Sequence, residues 1–558
     1  MVRKIVAGLA VVLVLVALGY GSQRLAESSW NAVVRYKSPY ARPLVEGEAG
    51  KPLAQRLVLV VVDALREDAS RRMPVLNALR AHGADFVAWT GEPSLSLPGW
   101  TVIASGAPQE VSGVTTNWYR GPVQVDTIFA AAKRVGVRTA VAGTPGWREL
   151  FGPWIDDARI VPDPKYGDVE GLYRTDAVIA EAALDLLRTP ARLIVVHFPG
   201  PDVAGHSFGA ASSVYAEAVR RVDEYIGRIS QATGQHTVLL VTADHGQIDR
   251  GGHGGWEPVV KRIPLVLTGE GVRSAVKGPE VRQMDIAPTI SILLGLPIPA
   301  HSNGRPLVEA LEGDLQPAVK RWIEQQKAMV DFSLRQLGMM TPSVTSVEVP
   351  AGDVLSAQGI LWASFKKAKE ERLNGERRQR LPLAMGTILP VLLYAVWAAR
   401  RGTLAVAVAG VAAYFLIVLA LFFGRGFTWS LSVFNTEEQI LSFFTARMVD
   451  AVIGLAGGVL LAGALSARRT PGEAAFAGVD VAALAAGALV LQVAYFYWLW
   501  DVKFPWYLPD LRLGFKYYLD LLQLTPVGLL SPLTPALGLA GYALPRLLRG
   551  RGKGRRVS

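Results

Sequence analysis

The sequence predicts an α/β domain with a mostly parallel sheet between helices, plus an all-α transmembrane domain. Three apolar runs, LVLVVV, LIVVHF and TVLLVT, have the length and the β-branched content of buried parallel strands. Acidic and histidine side chains follow these runs, at the strand ends where open α/β sheets bind their ligands. Five longer apolar stretches in the last third of the chain are long enough to cross a membrane.

Length and composition narrow the class of protein. A chain of 558 residues is expected to contain more than one domain. Its mean hydropathy of +0.27 is high, and the apolar excess lies at the two ends. With no cysteine, the chain has neither disulfides nor a thiolate metal site. The net charge of +11 would suit a nucleic-acid binder, but much of the Lys and Arg flanks apolar segments, so we predict no nucleic-acid partner.

Seven side chains are predicted to form one site for two metal ions and a phosphate. Most of them follow strand-like runs, and the last lies in a glycine-rich loop. They are Asp63, Ser96, Asp202, His206, Asp244, His245 and His253. Carboxylate oxygen and imidazole nitrogen are ligands of Zn²⁺, which is the expected metal, with Mn²⁺ or Mg²⁺ as alternatives. Three carboxylates and two divalent ions leave a slightly positive site that attracts phosphate, whereas the metal-free site is a cluster of like charges.

These residues lie in four short motifs that resemble the alkaline phosphatase superfamily. Within it, they are most similar to the phosphodiesterase branch, which includes nucleotide pyrophosphatase/phosphodiesterases and GPI ethanolamine phosphate transferases. The motifs are Asp-Ala-Leu-Arg-Glu-Asp at 63–68, Pro-Ser-Leu-Ser-Leu-Pro-Gly at 93–99, Asp-Val-Ala-Gly-His at 202–206, and Asp-His-Gly at 244–246 with Gly-His-Gly-Gly at 252–255. A closing Asp-Ile-Ala-Pro-Thr at 285–289, followed by Asn303-Gly304, is also typical, and the resemblance spans residues 55 to 310.

The resemblance implies an alkaline-phosphatase-like catalytic domain and a division of the ligands. One ion would be held by Asp202, His206 and His253. The other would be held by a second set, namely Asp63, Asp244, His245 and the Ser96 oxygen. Asn117 matches the family position that donates a hydrogen bond to a phosphate oxygen and so stabilises charge in the transition state. A simple turn asparagine is the alternative for Asn117.

Ser96 has the sequence context of a nucleophile. It precedes Leu97-Pro98 and an apolar helical run, so its oxygen is expected at a helix N-terminus, near the positive end of the helix dipole. An ordinary N-cap serine would have the same spacing, but the surrounding metal ligands favour a nucleophile because a metal lowers the pKa of a bound hydroxyl. Ser94 is the nearby competitor and does not align with the family nucleophile. Many phosphodiesterase relatives carry Thr here, which leaves monoester against diester preference open.

A sulfatase would share this fold but needs Cys or Ser in the motif C/S-x-P-x-R. Trp100 stands where that motif has Arg, and the chain has no cysteine, so a sulfatase is disfavoured. The other histidines lack ligand spacing. His197, inside a strand-like run, is expected to be a core histidine; His82, His236 and His301 are expected in surface or turn positions.

The apolar stretches predict a multi-pass cell-membrane protein. Residues 5–20 follow Arg3-Lys4 and form a signal anchor, with a cleaved signal peptide as the alternative. Five further spans are predicted at 381–399, 403–424, 448–467, 475–500 and 523–545. With six spans, four basic clusters fall on one side, which is then the cytoplasm: Arg3-Lys4, Arg400-Arg401, Arg468-Arg469 and the tail 546–556. The catalytic domain is therefore expected outside the cytoplasm and both termini inside it.

These segments divide the chain into five parts. They are a signal anchor at 1–24, the catalytic domain at 52–312, a helical connector at 313–380, a five-helix transmembrane domain at 381–546 and a basic cytoplasmic tail at 547–558. The basic stretch 366–380 is either a solvated helix face or a collar that touches anionic lipid head groups. Asp450 and Asp480 are expected near the ends of their spans rather than in a functional intramembrane site.

The predicted function is that of a membrane-anchored, outward-facing two-metal phosphodiesterase or phosphotransferase that forms a phospho-serine intermediate. The resemblance to GPI ethanolamine phosphate transferases favours a lipid-linked phosphodiester substrate, such as one carrying phosphoethanolamine, and membrane lipids as partners. Hydrolysis and transfer differ only in the second nucleophile, so both stay open. The alternative is a transporter or lipid-handling membrane protein with a non-catalytic exported receptor domain, which the complete ligand set disfavours.

Overall fold

The computed structural model describes residues 2–41, 47–338, 354–434 and 436–553. Within this part of the chain, nine strands form one sheet. They are β1 (Arg56–Val62), β2 (Ala84–Trp89), β3 (Thr139–Gly143), β4 (Asp157–Ile160), β5 (Leu193–Phe198), β6 (Thr237–Thr242), β7 (Arg262–Gly269), β8 (Val276–Lys277) and β9 (Val281–Arg282).

The sheet is mostly parallel, as predicted. Its strand order is β4-β3-β5-β1-β6-β7-β2-β8, with β9 also paired to β2. Strand β7 runs antiparallel to both β6 and β2, whereas every other pairing is parallel. The predicted strands β1, β5 and β6 lie side by side at the centre, and their side chains are buried almost throughout. This is why their sequences are continuous apolar runs rather than alternating ones.

Helices surround the sheet and build the core with it. The first twelve helices of the chain are α1 (Val2–Val34), α2 (Glu67–Ser70), α3 (Pro74–His82), α4 (Ser96–Ser105), α5 (Gln109–Ser112), α6 (Ile128–Arg134), α7 (Pro145–Phe151), α8 (Val169–Leu186), α9 (Gly200–Phe208), α10 (Ser213–Ala232), α11 (Pro258–Lys261) and α12 (Ile286–Leu294). Helix α8 packs on β3 and β5, and α12 packs on β1. Helix α1 continues ten residues past the predicted end of the anchor.

The rest of the described chain is helical. Its helices are α13 (Gln316–Gln336), α14 (Val354–Gly386), α15 (Ile388–Arg400), α16 (Leu404–Gly424), α17 (Glu437–Leu465), α18 (Pro471–Trp500), α19 (Leu511–Leu529) and α20 (Thr534–Lys553). Among the described residues, five helices are long and apolar enough to cross a membrane, or six if the bent pair α19 and α20 counts as one span. The predicted fold class is confirmed: an α/β domain joined to several long apolar helices.

The helix bounds differ from the apolar pattern in two parts of the predicted membrane domain. The span 523–545 is not one helix, because the chain breaks at a short turn around Ser531-Pro532 and the two flanking helices bend by 46°. Proline lacks the backbone N–H that a continuous helix would need there. Helices α17 and α19 begin inside the predicted outer loops 425–447 and 501–522. Charged residues in the first half of α19, such as Arg512, Lys516 and Asp520, and at the start of α17 interrupt the apolar pattern of these segments.

The basic stretch 366–380 lies within α14, and one of its faces packs on protein while the other residues are exposed. Lys369 Nζ lies 2.6 Å from a Glu110 carboxylate oxygen of the catalytic domain. The guanidinium groups of Arg372 and Arg377 lie over the rings of Trp506 and Trp500, at 4.4 and 5.3 Å from the ring centroids. Lys369, Arg372 and Arg377 therefore contact other parts of the protein instead of the expected solvent or lipid head groups. Through them, the stretch joins the catalytic domain to the helical part.

The two acids of the apolar helices are buried and paired. Asp450 lies 2.8 Å from Arg425 and is also paired with Arg447. Asp480 accepts a hydrogen bond of 2.7 Å from the Tyr394 hydroxyl and pairs with Arg401. Arg425 and Arg401 directly follow α16 and α15, whereas Asp450 lies near the middle of its own helix α17 and Asp480 in the first half of α18. The expected position of both acids near the ends of their spans stays a prediction.

Candidate functional site

The sheet topology brings the predicted site residues to one edge. Strands β5, β1 and β6 are neighbours and parallel, so their carboxyl ends lie together. Asp63 directly follows β1, and α9, which carries Asp202 and His206, follows β5. Asp244 and His245 follow β6 after a single alanine. The strand ends therefore supply most of the cluster, as an open α/β sheet requires.

Asp202, His206 and His253 form the first group of donor atoms. Asp202 and His206 are four residues apart on α9, hence on one helix face, with 3.3 Å between Asp202 Oδ1 and His206 Nε2. His253 Nε2 lies 3.0 Å from His206 Nε2 and 3.7 Å from Asp202 Oδ1. All three side chains are buried, and one ligand atom of each lies within 4.8 Å of the others. This set is the one that the resemblance implies for one ion.

Asp63, Asp202 and His245 form the second group. One ligand atom from each again lies within 4.8 Å of the others, and Asp63 Oδ1 is 3.4 Å from His245 Nε2. The Ser96 hydroxyl oxygen lies 3.2 Å from the same His245 nitrogen. The His245 and His253 rings stack with centroids 3.8 Å apart, which joins the two groups into one cluster.

Asp244 lies at the border of this cluster. Its Oδ1 accepts hydrogen bonds from the backbone N–H groups of Ala64 and His245, at 3.2 and 2.9 Å. Its Oδ2 accepts a bond of 2.8 Å from Trp100 Nε1 and lies 3.7 Å from His245 Nε2. Among the described residues, the third member of the second group is therefore Asp202, whereas the resemblance implies Asp244.

Ser96 is the first residue of α4 rather than its cap. Leu95 occupies the N-cap position, without a side-chain capping bond, so the expectation that Ser96 caps this helix is wrong. The helix starts earlier than its apolar run suggests because Pro98 is tolerated in the first turn. The Ser96 hydroxyl is thus directed to His245. The competitor Ser94 is buried, and its hydroxyl donates to the Gly255 carbonyl at 2.8 Å.

Asn117 is held against the same helix end. Its Oδ1 accepts a hydrogen bond of 3.0 Å from the backbone N–H of Leu97 in the first turn of α4. The amide is thereby oriented beside Ser96, and it lines the cavity that adjoins the site. This contact holds Asn117 beside Ser96, which is where a hydrogen-bond donor to phosphate would be needed.

The donor set fits divalent cations. His253 Nδ1 lies 3.0 Å from the Ser94 carbonyl oxygen, and His245 Nδ1 lies 3.1 Å from the Gly246 carbonyl oxygen. A carbonyl only accepts, so Nδ1 carries the proton in both rings and Nε2 presents its lone pair to the cluster, as in metal-binding histidines. Asp63 Oδ1 is buried with no hydrogen-bond partner in the described structure. A cation is the partner that these unprotonated atoms lack.

The electrostatics favour the same interpretation. Burial lowers the pKa of His245 to about 4 and that of His253 to about 3, which keeps both imidazoles neutral and able to bind a metal. Burial, together with the charges of Asp244 and Asp202, raises the pKa of Asp63. Burial opposes ionisation of Asp202 as well, yet the neighbouring His206 lowers its pKa overall. Crowded carboxylates of this kind repel one another until a cation neutralises them.

Three further residues orient the predicted ligands and were not recognised from the sequence. His197 is buried, as expected, but its Nε2 lies 3.1 Å from Asp63 Oδ2. Trp100 donates to Asp244, and Gln247 Nε2 donates to Asp202 Oδ1 at 2.8 Å. The sequence signal for this role of His197 is its position inside an otherwise apolar central strand. His301 lies in a turn, as expected, yet it is buried and accepts a bond from the Asp126 N–H.

A cavity of about 330 Å³ adjoins the first donor group, and the membrane part builds much of its wall. His206, His253 and Asn117 line it on the catalytic side. Trp30, from the end of α1, lines the other side together with Leu431 and Phe434 from the segment after α16. The site is therefore not enclosed by the catalytic domain alone.

The segment after α16 also contacts the loop that carries His253. The Gly255 N–H donates to Ser432 Oγ at 3.1 Å, and that hydroxyl donates to a Glu257 carboxylate oxygen at 2.8 Å. A Cβ at Gly252 would lie 2.5 Å from the Ser432 carbonyl oxygen, so this position requires glycine. The loop also needs it for its backbone, since Gly252 has φ +103°.

Together, the fold and the site define an α/β domain with a candidate two-group metal centre that is joined to apolar helices. Residues 57–253 match the family model of type I phosphodiesterase / nucleotide pyrophosphatase. This match spans strands β1 to β6 and every predicted site residue, and it confirms the resemblance to type I phosphodiesterases and nucleotide pyrophosphatases.

Curated proteins named GPI ethanolamine phosphate transferase 1 are similar to about half of this chain. GPI ethanolamine phosphate transferase 1 of Yarrowia lipolytica is 27% identical over 328 residues, which is 48% of this chain and 35% of that protein. The Homo sapiens protein of the same name is 26% identical over 322 residues, 48% of this chain and 34% of its own length. The chain thus spans about a third of the length of the curated relatives that it matches.

Solved structures with a similar chain path include the alkaline phosphatase PafA and the phosphonate monoester hydrolase of Agrobacterium radiobacter. The first is 11% identical, with a TM-score of 0.40 over 47% of this chain and 100% of that chain. The second is 18% identical, with a TM-score of 0.39 over 47% of this chain and 78% of that chain.

Proposed function

We propose that the protein is a membrane-anchored, outward-facing phosphodiesterase or phosphotransferase that acts on a lipid-linked phosphodiester through a phospho-serine intermediate. The observation that carries this proposal is the position of Ser96. Its hydroxyl lies at the N-terminus of α4, 3.2 Å from His245 and beside two groups of buried Asp and His donors. No other hydroxyl in the described motifs combines a helix N-terminus with these neighbours.

The residues have the following roles. Asp202, His206 and His253 would hold one divalent ion, and Asp63, His245 and the shared Asp202 the other, with Asp244 at its border, zinc being the expected metal. Such ions lower the pKa of a nearby hydroxyl and stabilise the attacking and leaving oxygens of an in-line displacement. The N-terminus of α4 places backbone N–H groups and the positive end of the helix dipole near the phosphate. The Asn117 amide, oriented by Leu97, donates to a phosphate oxygen.

The reaction proceeds in two displacements. The Ser96 oxygen attacks phosphorus and loses its proton, a bond forms between Ser96 and phosphorus, and the alcohol of the substrate leaves with a proton. Water or an acceptor hydroxyl then attacks the phospho-serine and frees Ser96. The first case is hydrolysis and the second is transfer.

A lipid-linked substrate is supported by the cavity beside the site. Trp30, Leu431 and Phe434 belong to the membrane part of the chain and form its wall next to His206 and His253. A phosphodiester bound at Ser96 therefore contacts apolar side chains that continue into the membrane helices. The name of the curated relatives, GPI ethanolamine phosphate transferase 1, favours phosphoethanolamine as the transferred group.

Activity profiling of the full-length protein tests the proposal. In lipid nanodiscs loaded with Zn²⁺, Mn²⁺ or Mg²⁺, we expect cleavage of bis(p-nitrophenyl) phosphate and release of phosphoethanolamine from phosphatidylethanolamine. Cleavage of p-nitrophenyl phosphate only would make the protein a monoesterase. Absence of all three activities with every metal would contradict the enzyme and support a non-catalytic receptor domain on a lipid-handling membrane protein.

The orientation in the membrane is part of the proposal. The four basic clusters flank apolar helices and favour both termini in the cytoplasm with the catalytic domain outside. A reporter fused after Ser558 is expected to be active only in the cytoplasm, and one inserted between α13 and α14 only outside. A cytoplasmic signal from the second reporter would contradict this orientation, since α13 follows the catalytic domain without an intervening span.

A further inference from the structure

A second cavity lies next to the one at the candidate site. It has a volume of about 120 Å³ and lies between α1, α17, α18 and α19. Its wall is almost entirely apolar and aromatic, and includes Phe496 of α18 with Gly514 and Phe515 of α19. The hydroxyls of Ser29 and Tyr517 in this wall bond each other at 2.9 Å, so they offer little to a polar ligand.

The two cavities share a wall. Trp30, Leu431 and Phe434 line both of them, as do Val33 and Leu511. The polar groups, His206, His253 and Asn117, all lie in the first cavity. A molecule that extends from the donor groups through the first cavity into the second therefore meets polar side chains at one end and hydrocarbon-like surface at the other.

We propose that the second cavity binds a hydrocarbon chain of the substrate whose phosphate is held at Ser96. The inference rests on the proposed function and specifies its substrate: an amphiphilic phosphodiester with an alkyl or acyl chain. Two features favour a chain as the occupant. The cavity lies among helices apolar enough for a membrane, and it adjoins the cavity at the candidate site across shared wall residues. Each methylene moved from water into such a site raises affinity by roughly fourfold.

Gly514 offers a way to fill the cavity without touching the candidate site. It lies in the first turn of α19, and a Cβ there would be 3.9 Å from the nearest ring atom, Phe496 Cε2. A larger side chain at position 514 can thus enter the cavity without a backbone clash. Gly386 is a matched control: it lies at the end of α14, and a Cβ there would meet nothing within 4 Å.

The test uses full-length protein in nanodiscs and p-nitrophenyl esters of methyl, butyl and octyl phosphate. For the wild type, KM is expected to fall by roughly tenfold or more from the methyl to the octyl ester. Gly514→Phe is expected to remove most of this fall while leaving kcat and KM for the methyl ester within about twofold, and Gly386→Phe to change neither. Gly514→Leu, which fills less of the cavity, is expected to retain the butyl preference and lose the octyl preference.

An unchanged octyl preference in both Gly514 variants would overturn the inference and leave the proposed function intact. Loss of wild-type turnover on all esters would overturn the proposed function instead. In that case the dissociation constant of the octyl ester, measured by calorimetry on wild type and Gly514→Leu, still decides: weaker binding only in the variant supports the chain site, and equal binding refutes it.

Discussion

Ser96→Ala is expected to reduce kcat by roughly three orders of magnitude or more while leaving metal binding nearly unchanged. The variant removes the oxygen that attacks phosphorus, and the donor groups of Asp and His do not depend on it. Turnover of bis(p-nitrophenyl) phosphate and bound metal per protein should be measured on the same preparation. A large loss of activity with full metal content is the expected combination.

The control for this variant is Ser94→Ala. The Ser94 hydroxyl donates to the Gly255 carbonyl, so its removal is expected to loosen the His253 loop and lower activity by far less. Near-normal turnover of Ser96→Ala would contradict the assignment of the nucleophile. If Ser94→Ala were then the inactive variant, the nucleophile would be Ser94.

Asp202→Asn is expected to weaken both metal ions by roughly tenfold or more, because Asp202 contributes to both groups of donor atoms. It also accepts a hydrogen bond from Gln247 that orients it. His253→Ala is expected to weaken only the ion of the first group, and Asp63→Ala only the other. Equilibrium dialysis after chelation, with metal counted by mass spectrometry, separates these results without any activity assay.

The outcome of the Asp202 experiment distinguishes two divisions of the ligands. If Asp202→Asn lost a single ion and Asp244→Asn lost the other, the division that the resemblance implies would hold. Asp244→Gln should be measured beside Asp244→Asn, because the Asp244 carboxylate already accepts hydrogen bonds from Trp100 and two backbone N–H groups. Equal loss of both ions in every variant would contradict either division.

Much of the fold could be predicted because its signals are local. A strand buried on both faces must be apolar along its whole length, so β1, β5 and β6 were recognisable as runs. Parallel strands end at the same edge of a sheet, which predicts that Asp63, Asp202 and Asp244 lie together. The membrane helices were likewise visible as long apolar stretches.

Other features could not be predicted because they depend on partners far apart in the chain. Whether Ser96 caps a helix or begins it is decided by where α4 packs, and Leu95 took the cap position. His197 was recognisable as a core histidine, but its contact with Asp63 depends on the register of β5 against β1.

By itself, the sequence determined the class of fold, the set of candidate ligands and the presence of membrane helices, since each is written in residue type and spacing along a short segment. Only the tertiary structure decided which ligands group together and what encloses them. Asp202 lies between both groups, and Trp30, Leu431 and Phe434 form a wall of the site from residues hundreds of positions apart. Contacts of this kind arise from packing between elements, which no local pattern records.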